Sequence, residues 1–212
     1  MAEMFAMRWP RVLAGYALVE RPPQEGKTIL SSDPGGIFIV ARGEATEEYD
    51  PFRIDGIYRR LAEVDTSDTA LAFSNAFGLF STSAYGRDEY RVDDILDHAA
   101  GLRAAIDAAE RGNWQPIVDG INHKNIGRCT LTLHHTEGAP RPDLSLQPSS
   151  LIAAIQIQFA LDCAVGAQLK KCLWCSNWFK YGPGTGHRQT AVYCSPKCQK
   201  AHAYAKTKAG GA

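Results

Sequence analysis

Two pairs of cysteines near the C-terminus are the residues whose spacing most clearly indicates chemistry. Two residues separate Cys172 from Cys175, and three separate Cys194 from Cys198 further along the chain. Zinc prefers four thiolate or imidazole ligands in a tetrahedron, and two closely spaced pairs supply them with little loss of chain entropy. The spacing therefore predicts one Zn²⁺ bound by four thiolates. Such a site has no open position for water or substrate, so the ion is expected to be structural.

Other interpretations of these cysteines stay open at the level of sequence. His187 or His202 could replace one thiolate, because zinc accepts imidazole ligands at such spacings. Two disulfides would need an oxidising compartment, and a redox-active pair at Cys172 and Cys175 would usually accompany a βαβ unit. The other two cysteines lie on apolar faces and are interpreted as core residues: Cys129 and Cys163.

The segment that contains these pairs is strongly basic. Residues 170–212 contain eight Lys or Arg and no Asp or Glu, whereas the whole chain of 212 residues contains 23 of each sign. Residues 1–169 therefore carry a formal charge of −8 against +8 for the remainder. This asymmetry predicts two parts with different roles. We expect a domain over residues 1–169, a zinc finger over 170–208 and a flexible tail over 209–212.

Aromatic residues are interleaved with the basic ones, and this combination predicts nucleic-acid binding. Lysine and arginine contact phosphates, and aromatic rings stack on bases. The expected partner is DNA or RNA, with no membrane partner. The candidate contact residues are Trp178, Lys180, Arg188, Lys197, Lys200 and Lys206.

A protein-interaction or dimerisation module is the competing interpretation, in which the zinc finger is purely structural and the chain could form a homodimer. The basic face could also dock on the acidic residues of 1–169. Phosphate contacts weaken steeply as salt rises and an apolar interface does not, so salt dependence separates the alternatives.

Enzymatic activity is a third class, and the sequence gives it little support. A nucleophile, a base and an orienting group do not come together anywhere in the chain, so we expect no enzyme. The candidate side chains are His98 with its neighbours Asp93, Asp94 and Asp97, and the pair His134 and His135.

The composition, 45% hydrophobic and 22% charged, is typical of a globular protein with one core and a small additional module. Polar residues Gln156, Gln158 and Asp162 interrupt the most apolar segment, so it does not predict a membrane span. The N-terminal residues do not have the pattern of a signal peptide, and we expect a cytoplasmic protein.

Both helices and strands are expected in the part of the chain that must position the cysteines. The sequence therefore predicts an α+β fold, with a mixed helix and strand domain before a treble-clef-like zinc finger. Apolar runs and alternation predict strands over 12–19, 37–41 and 129–135. Helical periodicity predicts helices over 54–64, 67–80, 92–109, 117–121 and 151–169, with a loop over 138–148.

The last of these helices is expected to lead directly into the finger. Within the finger we expect a knuckle at the first cysteine pair and a hairpin over 178–193 with a glycine-rich tip. A helix is expected to start at Ser195 and Pro196, because proline is tolerated in a first turn.

The finger resembles the C-terminal zinc finger of bacterial CGNR proteins, in which it follows an α/β region called the ABATE domain. The resemblance covers residues 170–208. It implies a bacterial zinc-binding protein that binds nucleic acid or regulates transcription. The sequence departs from the motif that names the family, because Gln199, Lys200 and Ala201 stand where Gly-Asn-Arg is expected. The matching residues are Lys170, Lys171, Cys172, Cys175, Phe179, Arg188, Tyr193, Cys194, Ser195 and Cys198.

Overall fold

The computed structural model describes residues 7–23, 35–80, 89–113, 115, 129–134, 143–182 and 185–209, and these residues form an α+β fold as predicted. The predictions of a helix over 117–121 and of a loop over 138–142 lie outside them. No helix in this part of the chain combines the length and apolar character that crossing a membrane requires.

The helices alternate with short strands along the chain. The strands are β1 (Trp9–Val12), β2 (Tyr16–Arg21), β3 (Gly36–Ala41), β4 (Thr46–Tyr49), β5 (Glu89–Arg91), β6 (Cys129–His134), β7 (Asp143–Pro148), β8 (Gln168–Lys171) and β9 (Trp178–Tyr181). The helices are α1 (Ile57–Ala62), α2 (Ser67–Phe77), α3 (Val92–Glu110), α4 (Leu151–Ala164) and α5 (Pro196–Ala209), with a 3-10 turn over Pro51–Arg53 before α1.

Every strand pair in the described residues is antiparallel. The order in the largest sheet is β2-β3-β5, and the others are the pairs β1-β4, β6-β7 and β8-β9. The predicted strand over 12–19 is wrong, because the chain turns at Gly15, where φ is +72°, and forms two strands. The predicted loop is also wrong over Asp143–Pro148, which pairs with β6.

The predicted helices that fall within the described residues exist, but the bounds of three of them differ. Thr66 caps α2 through a capping box with Thr69, and the helix ends at Phe77, with Gly78 as its C-cap, instead of continuing to residue 80. Helix α4 ends at Ala164, because the N–H of Gly166 bonds the carbonyl of Cys163 (3.0 Å) with Gly166 at φ +74°. The expected direct connection from this helix to the cysteines is therefore replaced by β8.

Asp50 caps the 3-10 turn, where its side chain accepts from the N–H of Phe52 (3.0 Å), and the predicted helix over 54–64 begins only at Ile57. The helix predicted over 92–109 is confirmed as α3, and Gly112, where φ is +69°, follows its C-terminal end.

One hydrophobic core joins strands β1 to β5, β8 and β9 with helices α1 to α4. Its side chains include Ile39 of β3, Leu61 of α1, Ile95 of α3 and Ile155 of α4, all with no exposed surface. Leu169 of β8 and Trp178 of β9 belong to the same core. The boundary expected at residue 170 therefore does not coincide with a break in packing, because the β8-β9 hairpin is part of the main core.

Gly78 gives a test of this packing. A methyl group there would lie 2.6 Å from the carbonyl oxygen of Pro10, and its φ is +82°. We expect Gly78→Ala to lower the free energy of unfolding by about 1–3 kcal/mol. Gly101→Ala is the matched control, because Gly101 lies in α3 with nothing within 4 Å and should gain roughly 0.5–1 kcal/mol. Urea denaturation measures both changes, and equal stability of the two variants would contradict this account.

Candidate metal centre

The β8-β9 hairpin presents the first cysteine pair in the turn between its strands. The N–H of Cys172 donates to the carbonyl of Asn177 (2.9 Å), and the N–H of Ser176 donates to the carbonyl of Cys172 (3.0 Å). Ser176 adopts φ 59°, the left-handed conformation that closes such a tight turn. The pairing partner of β9 is therefore β8, and the expected hairpin over 178–193 is wrong because residues 185–193 contain no strand.

Helix α5 presents the second pair at its N-terminus. The Oγ of Ser195 accepts from the N–H of Cys198 (3.2 Å), which is the side-chain cap of a helix that begins with Pro196. The predicted helix start is confirmed. Cys194 precedes the cap and Cys198 lies in the first turn, so both sulfurs lie near the positive end of the helix dipole, which favours thiolates.

The four sulfurs converge on one point. All four Sγ atoms of Cys172, Cys175, Cys194 and Cys198 lie within 4.8 Å of one another. The separation is 3.6 Å between Cys175 and Cys194 and 3.5 Å between Cys194 and Cys198. Metal–sulfur bonds of about 2.3 Å in a tetrahedron place sulfurs about 3.8 Å apart. The cluster therefore has the dimensions of a four-thiolate metal site, and these separations are too long for disulfides.

Backbone N–H groups surround one of these sulfurs. Burial raises the pKa of the Cys172 thiol, but the N–H groups of Cys175, Cys194 and Trp174 stabilise its thiolate, so its pKa falls to about 6. The N–H of Cys194 lies 3.4 Å from this sulfur. Burial, followed by the neighbouring thiols, raises the pKa of Cys194 to about 12. This contrast is expected when thiols crowd together without a cation, and a bound metal would keep all of them as thiolates.

His187 and His202, the two histidines that could have replaced a cysteine ligand, do not belong to the cluster in the part of the chain that the structure describes. The Nδ1 of His202 lies 2.8 Å from the hydroxyl of Tyr193, and its ring packs on Trp174 with 5.9 Å between centroids. His187 packs edge-on against Phe179, at 5.3 Å. Both imidazoles contact aromatic rings, and the group that could hold a metal consists of the four cysteines.

The other two cysteines are unpaired and outside the cluster. Cys163 packs against the core, and burial followed by the charge of Asp162 raises the pKa of its thiol to about 11. Burial also raises the pKa of Cys129. High pKa values keep both thiols protonated and unreactive at neutral pH.

Two of the residues expected to contact nucleic acid, Trp178 and Lys180, instead interact with other residues of the protein. The side chain of Trp178 is only 6% exposed, and its backbone N–H donates to Oε1 of Glu63 (3.4 Å). A ring buried to this extent offers no free face to a base. The Nζ of Lys180 lies 2.7 Å from Asp55 and 3.1 Å from Asp162, so it is already neutralised by two carboxylates.

Lys180 completes a polar network between the hairpin and the core helices. The hydroxyl of Tyr58 donates to Asp162 (2.6 Å), and Arg59 bonds Asp55 (2.5 Å). Burial, then the hydrogen bond and charge of Asp162, raise the pKa of Tyr58, so that its hydroxyl stays a donor. The sequence analysis missed this network because its members come from distant parts of the chain and form no local pattern.

The remaining expected contacts, Arg188, Lys197, Lys200 and Lys206, are exposed, and none forms an ion pair within the described residues. Lys208 of α5 is equally exposed and was missed. Helical periodicity could have found it, because it lies on the same face of α5 as Lys197 and Lys200.

The candidate catalytic side chains lie in two separate elements where the structure describes them, α3 and β6. The ring of His98 packs edge-on against Phe80, at 5.5 Å, and Asp93 pairs with Arg91 (3.0 Å). His134 lies opposite Asp143 in the β6-β7 pair, and His135 lies outside the described residues.

Comparison with known proteins gives no relative: no family model, no curated protein and no solved structure matches this chain. Membership of the CGNR family therefore stays a prediction.

Removing one thiolate tests the cluster. We expect Cys175→Ser to lose the bound metal and the protection of α5 against hydrogen exchange, because metal binding and local folding are coupled. Strands β8 and β9 should stay protected, since Leu169 and Trp178 lie in the main core. Cys163→Ser is the control and should keep one metal per chain by elemental analysis. Loss of protection in β8 and β9 as well would show that finger and core unfold as one unit.

Substitution of Lys180 gives a second test, because the ion pairs of this side chain are expected to stabilise the folded protein. We expect Lys180→Met to lower the free energy of unfolding by about 1–3 kcal/mol, since two carboxylates lose a charged donor. The exposed Lys206→Met should change it by less than about 0.5 kcal/mol. The urea midpoints of the two variants measure the difference. Equal midpoints would mean that the network contributes nothing measurable.

Proposed function

We propose that this protein binds nucleic acid through a C-terminal finger that one structural Zn²⁺ holds together. Four thiolate donors with no open coordination position are the donor set that zinc prefers in structural sites. The order of knuckle, strand and helix supports a treble-clef-like arrangement, in which β8-β9 carries one cysteine pair and α5 the other. The resemblance of residues 170–208 to the CGNR finger supports the same assignment.

The exposed lysines of α5 are the observation that carries the proposal. Lys197, Lys200, Lys206 and Lys208 are exposed, and the finger contains no acidic residue. Four thiolates around Zn²⁺ contribute a charge of about −2, so the finger keeps an excess of about six positive charges. Unpaired like charges on one short helix repel one another, and an anionic partner relieves this repulsion.

The proposed contacts are therefore revised from those expected at first. Arg188, Lys197 and Lys200 remain in the set, and Lys208 is added to it. Lys206 is left out because it lies on another side of α5. Trp178 and Lys180 leave the set because the core and two carboxylates occupy them.

A protein-interaction module remains the second candidate, because the finger also has an exposed apolar patch. Leu173 is 61% exposed and Val192 44% exposed, and the N–H of Leu173 donates to the carbonyl of Val192 (2.9 Å). Trp174 is next to them in the knuckle. An apolar patch of this kind would favour association with a protein or with a second copy of the chain.

Salt dependence tests the proposal. We expect the wild-type protein to bind mixed DNA and RNA oligonucleotides at low salt. The triple variant Arg188→Gln, Lys197→Gln, Lys200→Gln should flatten the slope of log affinity against log salt by about two to three, because three phosphate contacts are lost. Its zinc content should be unchanged. Fluorescence anisotropy over a series of salt concentrations measures the slopes.

The triple variant Arg8→Gln, Arg53→Gln, Arg111→Gln is the control, because it removes three exposed cations outside the finger, of which Arg8 and Arg53 pair with surface carboxylates. Its slope should equal that of the wild type. Absence of any binding at tens of micromolar would refute nucleic-acid binding. A dimer that resists salt and is dissociated by Leu173→Asp would then favour the interaction module.

A further inference from the structure

One face of α5 combines three lysines with a tyrosine. At 100° per residue, Lys197, Lys200, Tyr204 and Lys208 lie within an arc of about 80°, and they extend over roughly 16 Å along the helix axis. Tyr204 is four residues after Lys200 and four before Lys208, so its backbone position lies between theirs along this face of the helix. We call these four residues the basic face.

The tyrosine ring on this face is free. Tyr204 is 74% exposed, more than any other large hydrophobic side chain in the described residues, and it has no hydrogen bond or ring contact there. Most of its surface is therefore accessible to solvent. The three lysines around it are also exposed and without ion pairs in the same part of the chain. The face therefore offers one aromatic ring surrounded by positive charge.

The metal centre fixes the direction of this face. Cys198 enters the cluster, and His202 bonds the hydroxyl of Tyr193. By the same helical geometry these two residues lie about 120–160° around α5 from Tyr204. The basic face is thus held away from the cysteines and is accessible to a large ligand.

We propose that the nucleic acid which this finger binds is single-stranded, with one base stacked on Tyr204 and its phosphates held by Lys197, Lys200 and Lys208. The inference rests on the proposed function. Bases of a duplex are stacked on each other and present no free ring face, whereas an unpaired base can stack on an aromatic side chain. A duplex would use only the lysines and leave the tyrosine without a role.

The chain supplies matched controls for both parts of this contact. Trp174 is a second exposed aromatic residue of the finger, 44% exposed, but it packs on His202 and lies outside the basic face. Lys206 is a second exposed lysine of α5, about 160° around the helix from Tyr204. Stacking and charge can thus each be tested against a residue of the same type nearby.

The experiment measures binding of the full-length zinc-loaded protein to labelled single strands of DNA and RNA and to duplexes of the same sequence. We expect single strands to bind more tightly. Tyr204→Ala should weaken single-strand binding by about five- to a hundred-fold, without changing the salt slope or duplex affinity. Tyr204→Phe should restore it, and Trp174→Ala should have no effect. Lys200→Gln should reduce the salt slope by about one, and Lys206→Gln by less.

The outcomes separate this inference from the proposed function. Equal affinity for single strands and duplexes, with no effect of Tyr204→Ala, overturns the inference and leaves nucleic-acid binding standing. An equal loss from Trp174→Ala and Tyr204→Ala also overturns it, because the basic face would not be the stacking site. Binding to neither form overturns both. Zinc content and circular dichroism of each variant confirm that α5 is intact.

Discussion

The burial of Trp178 in the main core is the interaction on which the rest of the finger depends. It fixes β9, and through β9 the turn that carries Cys172 and Cys175. The ion pairs of Lys180 with Asp55 and Asp162 hold the same strand from its polar side. Half of the metal site is therefore organised by the core without metal. The other half is carried by α5, which the cluster and the His202 contacts connect to the hairpin.

The opposed charges of the two parts of the chain are only partly used inside the molecule. Of the eight cations in residues 170–212, Lys180 alone pairs with carboxylates in the described residues. Lys170 and Lys171 instead lie over the rings of Tyr181 and Trp178, at 4.0 and 5.0 Å. The acidic part of the chain thus leaves the lysines of α5 without carboxylate partners in the described residues. The unpaired positive charge is concentrated on this helix, which contributes no residue to the hydrophobic core.

Local patterns in the sequence predicted the cysteine cluster and the start of α5, because ligand spacing and the Ser195-Pro196 cap depend on a few neighbouring residues. The sequence predicts that α4 continues to Leu169, because apolar residues continue to that position. The helix ends earlier, at Ala164, because the chain turns at Gly166. The prediction that Trp178 contacts nucleic acid is wrong because its side chain is buried in the core. An aromatic residue in a basic segment has the same local sequence pattern whether it faces the core or the solvent. Long-range pairs such as Tyr58 with Asp162 have no local signature.

Because α5 is joined to the molecule mainly at the cysteine cluster, a metal ion bound there would also determine whether the charge of this helix stays with the folded part. Helix α5 contributes four lysines and no acid to a chain that is neutral overall, so the rest carries a formal charge of −4. Loss of such an ion would detach a cationic helix from an acidic remainder of the chain. A protease that removes the released helix would leave a protein that migrates toward the anode at neutral pH, so electrophoretic mobility would report the state of the four cysteines.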